Sequence, residues 1–342
     1  MPAEWVEQDA VLLSWPHSGT DWAYMLDEVK SCFFEIAKAI VSGNELLIIV
    51  SPETESVKKE LEEIDNGKIR YFEMPTNDTW ARDFGAISVY KNGEKHVIDF
   101  KFNAWGLKFA ADKDNLINSN LDRENLFNAE YINALGFVLE GGSIESDGKG
   151  TVLTTEECLL SKNRNGALNK HEIETELKQY LGAERILWLQ HGALAGDDTD
   201  SHVDTLARLC NENTIAYVKC DDESDEHYAD LAAMEAELKD FRTADGNPYN
   251  LVALPMADTI YDEDGLRLPA TYANFLIMND RVLVPVYNQK ENDAKALETL
   301  SGVFADRKII GIDCNALIKQ HGSLHCVTMQ FPKGFINDKY LK

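Results

Sequence analysis

Apolar residues recur along this chain with two different periods. Between Asp27 and Val41 they stand at 29, 32, 33, 36, 37, 40 and 41, one face of a helix, with Gly43 as its stop. Asn169 followed by Glu172 predicts a capping-box start, with Ile173, Leu177, Tyr180 and Leu181 as the inner face and Gly182 as the end. A third helix begins at Ser224, with Tyr228, Leu231, Leu238 and Phe241 on one side, and a shorter fourth covers 292–300. Over 112–135 the helical pattern is weaker. Short apolar strands alternate with the helices at 11–15, 46–50, 86–90, 97–102, 185–189, 214–218, 250–254, 274–278, 282–286 and 308–312. Asn92-Gly93, Asn211-Glu212-Asn213 and Asn279-Asp280 supply hairpin turns between pairs of them.

The order strand, turn, strand, helix, strand thus repeats with a period of roughly 60–70 residues. The repeated segments share almost no residue identity, so the repeat is one of structure. Five such units round an axis would give a closed, propeller-like α/β domain; an α+β sandwich without symmetry is the alternative. No Gly/Ser tract or Pro-rich stretch divides the chain, which reads as one domain over 1–342.

Composition narrows the partners. Lys+Arg number 33 against 59 Asp+Glu in 342 residues, a net charge of −26. Such a field repels phosphate backbones and anionic membranes and attracts small cations. No apolar run is long enough to span a membrane, and the first ten residues lack a basic or apolar leader. Six cysteines without a C-x-x-C spacing argue against a disulfide or zinc framework, and point to a cytoplasmic home.

Four polar clusters sit at the edges of units: residues 77–85, 140–143, 196–204 and 322–326. Each alone has a plain structural reading. Arg82-Asp83 beside Trp80 could be an ion pair, Glu140-Gly141-Gly142 a polar turn, and Cys326 a small buried hydrophobe. Asp198, Asp200, His202 and Asp204 alternate, so an extended segment would aim all four one way, at a cost unless they find partners. A metal site is the rival reading there, although the calcium-loop pattern is absent. Taken together, one Cys, one His and several carboxylates suit guanidine hydrolysis. Carboxylates grip a planar guanidinium bidentately. Its resonance-stabilised carbon needs a strong nucleophile, for which a thiolate serves. A His can then protonate departing ammonia and later activate water.

At these motifs the sequence resembles the agmatine deiminase family, the bacterial-type peptidyl-arginine deiminases of the guanidine-modifying superfamily. Trp15-Pro16-His17 with Trp22, and Phe102-Asn103-Ala104-Trp105-Gly106, extend the likeness over nearly the whole chain. The resemblance implies a five-fold pseudosymmetric α/β propeller of strand–strand–helix–strand units. It implies Cys326 as nucleophile and His202 as general acid/base, with Glu140 hydrogen-bonded to His202. Asp83 and Asp204 would hold the guanidinium nitrogens. Trp80 and Trp105 would wall the substrate, and Asp198 would stand near it. No metal or organic cofactor is implied. One departure stands out: the loop before the terminal His-Cys, glycine-rich in the family, reads Gln320-His321-Gly322-Ser323-Leu324 here.

Among guanidines, the absence of a spare Arg in the motifs argues against a free α-carboxylate, while Asp198 and the net charge favour a dication. Agmatine is the first expectation and peptidyl-arginine the second; a homodimer is left open. A metal-dependent hydrolase, a thiol protease and a non-catalytic guanidinium-binding module are the readings from other classes.

Overall fold

The computed structural model describes all 342 residues. Its sixteen strands form five small sheets. The first sheet holds β1 (Gln8–Ser14), β2 (Leu46–Ser51) and β3 (Ile69–Glu73), and β1 also pairs antiparallel with the chain's last strand, β16 (Thr328–Pro332). The others are β4 (Ile87–Lys91) with β5 (Glu94–Lys101) and β6 (Glu130–Val138); β7 (Ile144–Ser146) with β8 (Thr151–Thr155) and β9 (Arg185–Leu189); β10 (Ala207–Asn211) with β11 (Thr214–Lys219) and β12 (Asn250–Pro255); and β13 (Leu276–Ile277) with β14 (Arg281–Val286) and β15 (Lys308–Asp313).

Four of the sheets pair their first two strands antiparallel and then add a third in parallel; in the first, β16 and β1 are the antiparallel pair and β2 and β3 both follow in parallel. A parallel neighbour needs a crossover, and a helix supplies it. These helices are α1 (Leu26–Val41), α2 (Lys170–Leu181), α3 (Tyr228–Asp240) and α4 (Lys290–Val303), with a shorter helix, Ile117–Arg123, before β6. The expected unit therefore occurs five times, the first split between the two chain ends. The sheets remain separate; none joins its neighbours into one closed sheet.

The helices follow their patterns. α1 buries Val29, Cys32, Phe33, Ile36, Ala37, Ile40 and Val41. In α2 the Asn169 side chain accepts from the Glu172 N–H, and the Glu172 carboxylate accepts from the Asn169 N–H. Gly182 closes the helix at φ 69°, a left-handed conformation natural to glycine. Three expectations shift. The third helix starts at Tyr228, because Asp222 accepts from Ser224 and holds that stretch as a turn. The ambiguous 112–135 stretch divides into a short helix and the first half of β6. The expected strand at 274–278 shortens to β13, because Asn274 is drawn into another role. The six cysteines are all buried and unpaired, and no helix is long and apolar enough to cross a membrane.

Candidate active site

The loop leading into the first strand of each unit ends at one place. The turn Ala81–Phe84 before β4 delivers Asp83. The turn before β7 brings Glu140 and Gly142, and the turn before β10 brings His202 and Asp204. The loop before β16 delivers Cys326. The fifth unit contributes Asn274, just ahead of β13. Asp83, Glu140, His202, Asp204, Asn274 and Cys326 are all buried.

Gly142 lets the groups converge. Its N–H donates to Asp83 Oδ1 (3.0 Å). A Cβ there would fall 2.7 Å from His202 Nδ1, 2.8 Å from Asp83 Oδ1 and 3.1 Å from Asp204 Oδ2. His202 Nδ1 stands 3.6 Å from Asp83 Oδ1, and neither ring nitrogen has a hydrogen-bond partner. Cys326 Sγ lies 4.0 Å from Asp204 Oδ2 and 3.4 Å from Asn274 Oδ1. Asn274 Oδ1 also accepts from the N–H groups of His325 (2.9 Å) and Cys326 (3.3 Å), and its Nδ2 donates to the Asp204 carbonyl (3.3 Å). One carboxamide thus ties the thiol's loop to the His202–Asp204 turn.

Electrostatics divides the two carboxyls. Burial drives Asp83 well above the ordinary carboxylate range, and Asp204 adds to the shift; Trp105 Nε1–H donates to its Oδ2 (2.9 Å) and opposes it. Burial would raise Asp204 too, but His325, whose Nδ1 lies 2.7 Å from Oδ2, outweighs it and holds Asp204 below its usual value. Burial pushes the Cys326 thiol well up, and Asp204 and Asp83 add to that. Burial lowers His202 to about 3, so its ring is neutral at pH 7.

Behind the thiol's loop lies a charged group that the motifs did not announce. His325 Nε2 meets Glu4 Oε2 at 2.7 Å. Arg208 donates to Glu4 (3.0 Å) and to Glu145 (2.5 Å), and the Arg82 side chain lies buried beside them. Arg82 therefore turns toward Glu4 and does not line the cleft.

Two expectations need correction. Residues 198–204 are not extended. Asp200 and Ser201 take φ of 62° each, so Asp200 swings out to Lys108 Nζ (2.9 Å) and Arg164 Nη1 (2.5 Å) while His202 and Asp204 turn in. Glu140 is not hydrogen-bonded to His202; its two oxygens accept from Arg164 Nε at 2.9 and 3.0 Å.

Outward from Cys326 opens a narrow cleft lined by Trp80, Asp83, Trp105, Asp198, Thr199, Gln320, His321 and Gly322. Trp80 and Trp105 meet edge to face at 6.2 Å. Burial raises Asp198 to about 6 despite the opposing charge of His321. No Lys or Arg lines the cleft. Donors of Glu140, Cys158 and His202 lie within 4.8 Å of one another, as do those of Glu4, Glu145 and His325. In each set an arginine already occupies the carboxylates, Arg164 in the first and Arg208 in the second, so neither suits a cation.

The comparisons agree with this picture. The Porphyromonas-type peptidyl-arginine deiminase pattern matches residues 1–332. A protein of Legionella pneumophila (strain Paris) named "putative agmatine deiminase" is 35% identical, over 98% of this chain and 96% of its own. The structure of a "putative arginine deiminase" from Porphyromonas gingivalis superposes with TM-score 0.94 at 55% identity, covering 98% and 99% of the two chains. Substrate-bound agmatine deiminase from C. jejuni, a cysteine-to-serine variant, gives 0.91 at 41% identity, over 98% and 96%. The chain belongs to the Porphyromonas-type peptidyl-arginine deiminase family and is a hydrolase of C–N bonds in linear amidines.

Proposed function

We propose that this protein is an agmatine deiminase, converting agmatine and water to N-carbamoylputrescine and ammonia. The observation that carries the reading is the cleft itself. Two carboxyls and a thiol meet at its buried end, Asp198 lines its outer part, and no arginine or lysine lines it to receive an α-carboxylate. A substrate cationic at both ends suits that charge pattern; free arginine does not.

In this reading Asp83 and Asp204 grip the guanidinium, and Trp80 and Trp105 flank it. The arriving cation favours ionisation of Asp83 and of the Cys326 thiol, both of which burial keeps protonated. The thiol proton passes to His202, and the thiolate attacks the guanidinium carbon. His202 returns that proton to the departing nitrogen, ammonia leaves, and a thiouronium remains on Cys326. His202 then takes a proton from water as its oxygen attacks the same carbon, and collapse expels Cys326 as thiolate. Glu140, neutralised by Arg164, supports the His202 side of the site. The five units are proposed to surround this point as a propeller within one domain over residues 1–342. A route to putrescine is the corresponding pathway, in the cytoplasm, with no metal or organic cofactor. Peptidyl-arginine deimination is the second reading, favoured by the family's description.

Ammonia and ureido-product release from agmatine, arginine and an arginine peptide, side by side, tests the proposal. Agmatine turnover that is lost in Cys326→Ser is expected. A preference for arginine or the peptide would refute the assignment.

A further inference from the structure

The loop that leads to Cys326 lines the cleft with Gln320, His321 and Gly322. Asp83 and Cys326, at the inner end, are buried, while Asp198, Gly196, Gln320 and His321 are half-buried at the mouth. His321 Nδ1 lies 2.7 Å from the Gly196 carbonyl oxygen. A carbonyl only accepts, so Nδ1 carries the proton and donates across the mouth. The bond joins the loop that precedes His202 to the loop that precedes Cys326.

Both loops are anchored. Gly196 sits at φ 84°, and a Cβ there would lie 2.2 Å from the Arg267 carbonyl, so this side is pressed against its support. Arg267 itself is held by Asp225 at 2.8 and 3.0 Å. On the other side Gln320 Nε2 donates to the Asp21 carbonyl (3.1 Å), and Ser323 shares a hydrogen bond with the Tyr287 hydroxyl (3.0 Å). Lys108 Nζ donates to the Asp198 carbonyl from outside the cleft and fixes that loop further. His321 spans these fixed points at φ 66°, a left-handed conformation that a β-carbon disfavours and glycine accepts freely. Strain of this kind persists where the surroundings impose it, and such positions cluster at binding sites.

We propose that His321 is a specificity-determining residue that bars the mouth to any guanidine carried on a polypeptide. The inference rests on the guanidine-hydrolase reading above and deepens it. A free diamine-like substrate ends beneath the bond, near Asp198. An arginine side chain attached to a backbone must continue outward, through the place that the His321–Gly196 bond occupies.

The test uses His321→Gly, which relieves the left-handed conformation and removes the bar, and His321→Asn, which tolerates the conformation but is too short to span it. Turnover of agmatine and of a doubly blocked arginine peptide is compared in each. Binding of the same two compounds is measured calorimetrically with Cys326→Ala, alone and combined with each variant. Both variants are expected to raise the peptide-to-agmatine ratio of kcat/KM, and of affinity, by at least about tenfold, the scale of a steric discrimination. An unchanged ratio, with both substrates weakened equally, would overturn the proposal by reducing His321 to loop support. Free admission of the peptide to the unaltered protein would overturn it as well. Failure of the deiminase reading has a different signature: agmatine and peptide would still differ in binding to Cys326→Ala, with no turnover of either by the unaltered enzyme.

Discussion

Asn274→Ala tests whether the fifth unit's loop presents the proposed nucleophile. Asn274 Oδ1 accepts from the Cys326 N–H at 3.3 Å, and it lies 3.4 Å from Sγ. The His325 N–H keeps a second partner, the Asn274 backbone carbonyl at 3.1 Å, which alanine retains. The substitution therefore orphans one buried N–H, at ~1–3 kcal/mol, and removes the carboxamide's bond to the Asp204 carbonyl, at ~0.5–1.5 kcal/mol. The fold should tolerate a loss of that size. Catalysis should tolerate it less, because the thiol's loop would be free to drift from Asp204, and a misplacement of about 1 Å can cost ~10²-fold in rate. Steady-state agmatine turnover should show kcat reduced by about two orders of magnitude, with a smaller change in KM, since Asp83 and Asp204 remain. A kcat within about twofold of the parent, no more than one weak hydrogen bond of ~0.5 kcal/mol, would refute the reasoning.

Four further outcomes follow from the same geometry. Gly322→Ala would set a Cβ 2.1 Å from Trp80 Cζ3, so the ring must move and agmatine KM should rise at least about tenfold; an unchanged KM would show that Trp80 does not wall the substrate. Thiolate absorbance, taken as the difference between the protein and Cys326→Ala, should be missing at pH 7 without ligand, since burial and two acids keep the thiol protonated; a full thiolate signal in the free protein would contradict this. Asp198 has a raised value near 6, so its anion forms as pH rises through that value; agmatine KM should fall across the same window, and Asp198→Asn should flatten the profile. Glu4→Gln removes one partner of a buried ionic group and should destabilise by ~3–5 kcal/mol in denaturant titration, whereas an unshifted midpoint would mean that Arg208 and His325 find other partners.

The sequence made the unit and its repetition legible because amphipathic helices and hairpin turns are local signals. What escaped it depended on distant partners. β6 reads poorly because Asn133 and Gly136 interrupt it and its register shifts where it pairs with β5. Glu4 stands 321 residues from His325, so no spacing rule connects them. Arg164 looks like a surface residue until it meets Glu140 and Asp200, and it is why those acids do not behave as their motif suggested. Asn274 was within reach. Five units imply five loops leading into them; four carry the polar clusters at 77–85, 140–143, 196–204 and 322–326, and the remaining loop, Tyr272-Ala273-Asn274, holds the fifth polar group.

The arrangement also explains how one buried point can hold a thiol and two acids without flying apart. Three full negative charges with neutral surroundings would be prohibitively costly there. Only Asp204 has an imidazole aimed at it that favours its anion, because His325 lies between Asp204 and Glu4, 2.7 Å from each. Asp83 has a glycine N–H and an indole N–H instead, neutral donors that soften burial without cancelling it. The free site thus favours one anion and two protonated groups. A guanidinium changes that balance by bringing the charge that Asp83 and Cys326 lack. In the proposed mechanism, nucleophile and grip then become competent together, and only when the substrate class they would serve is present.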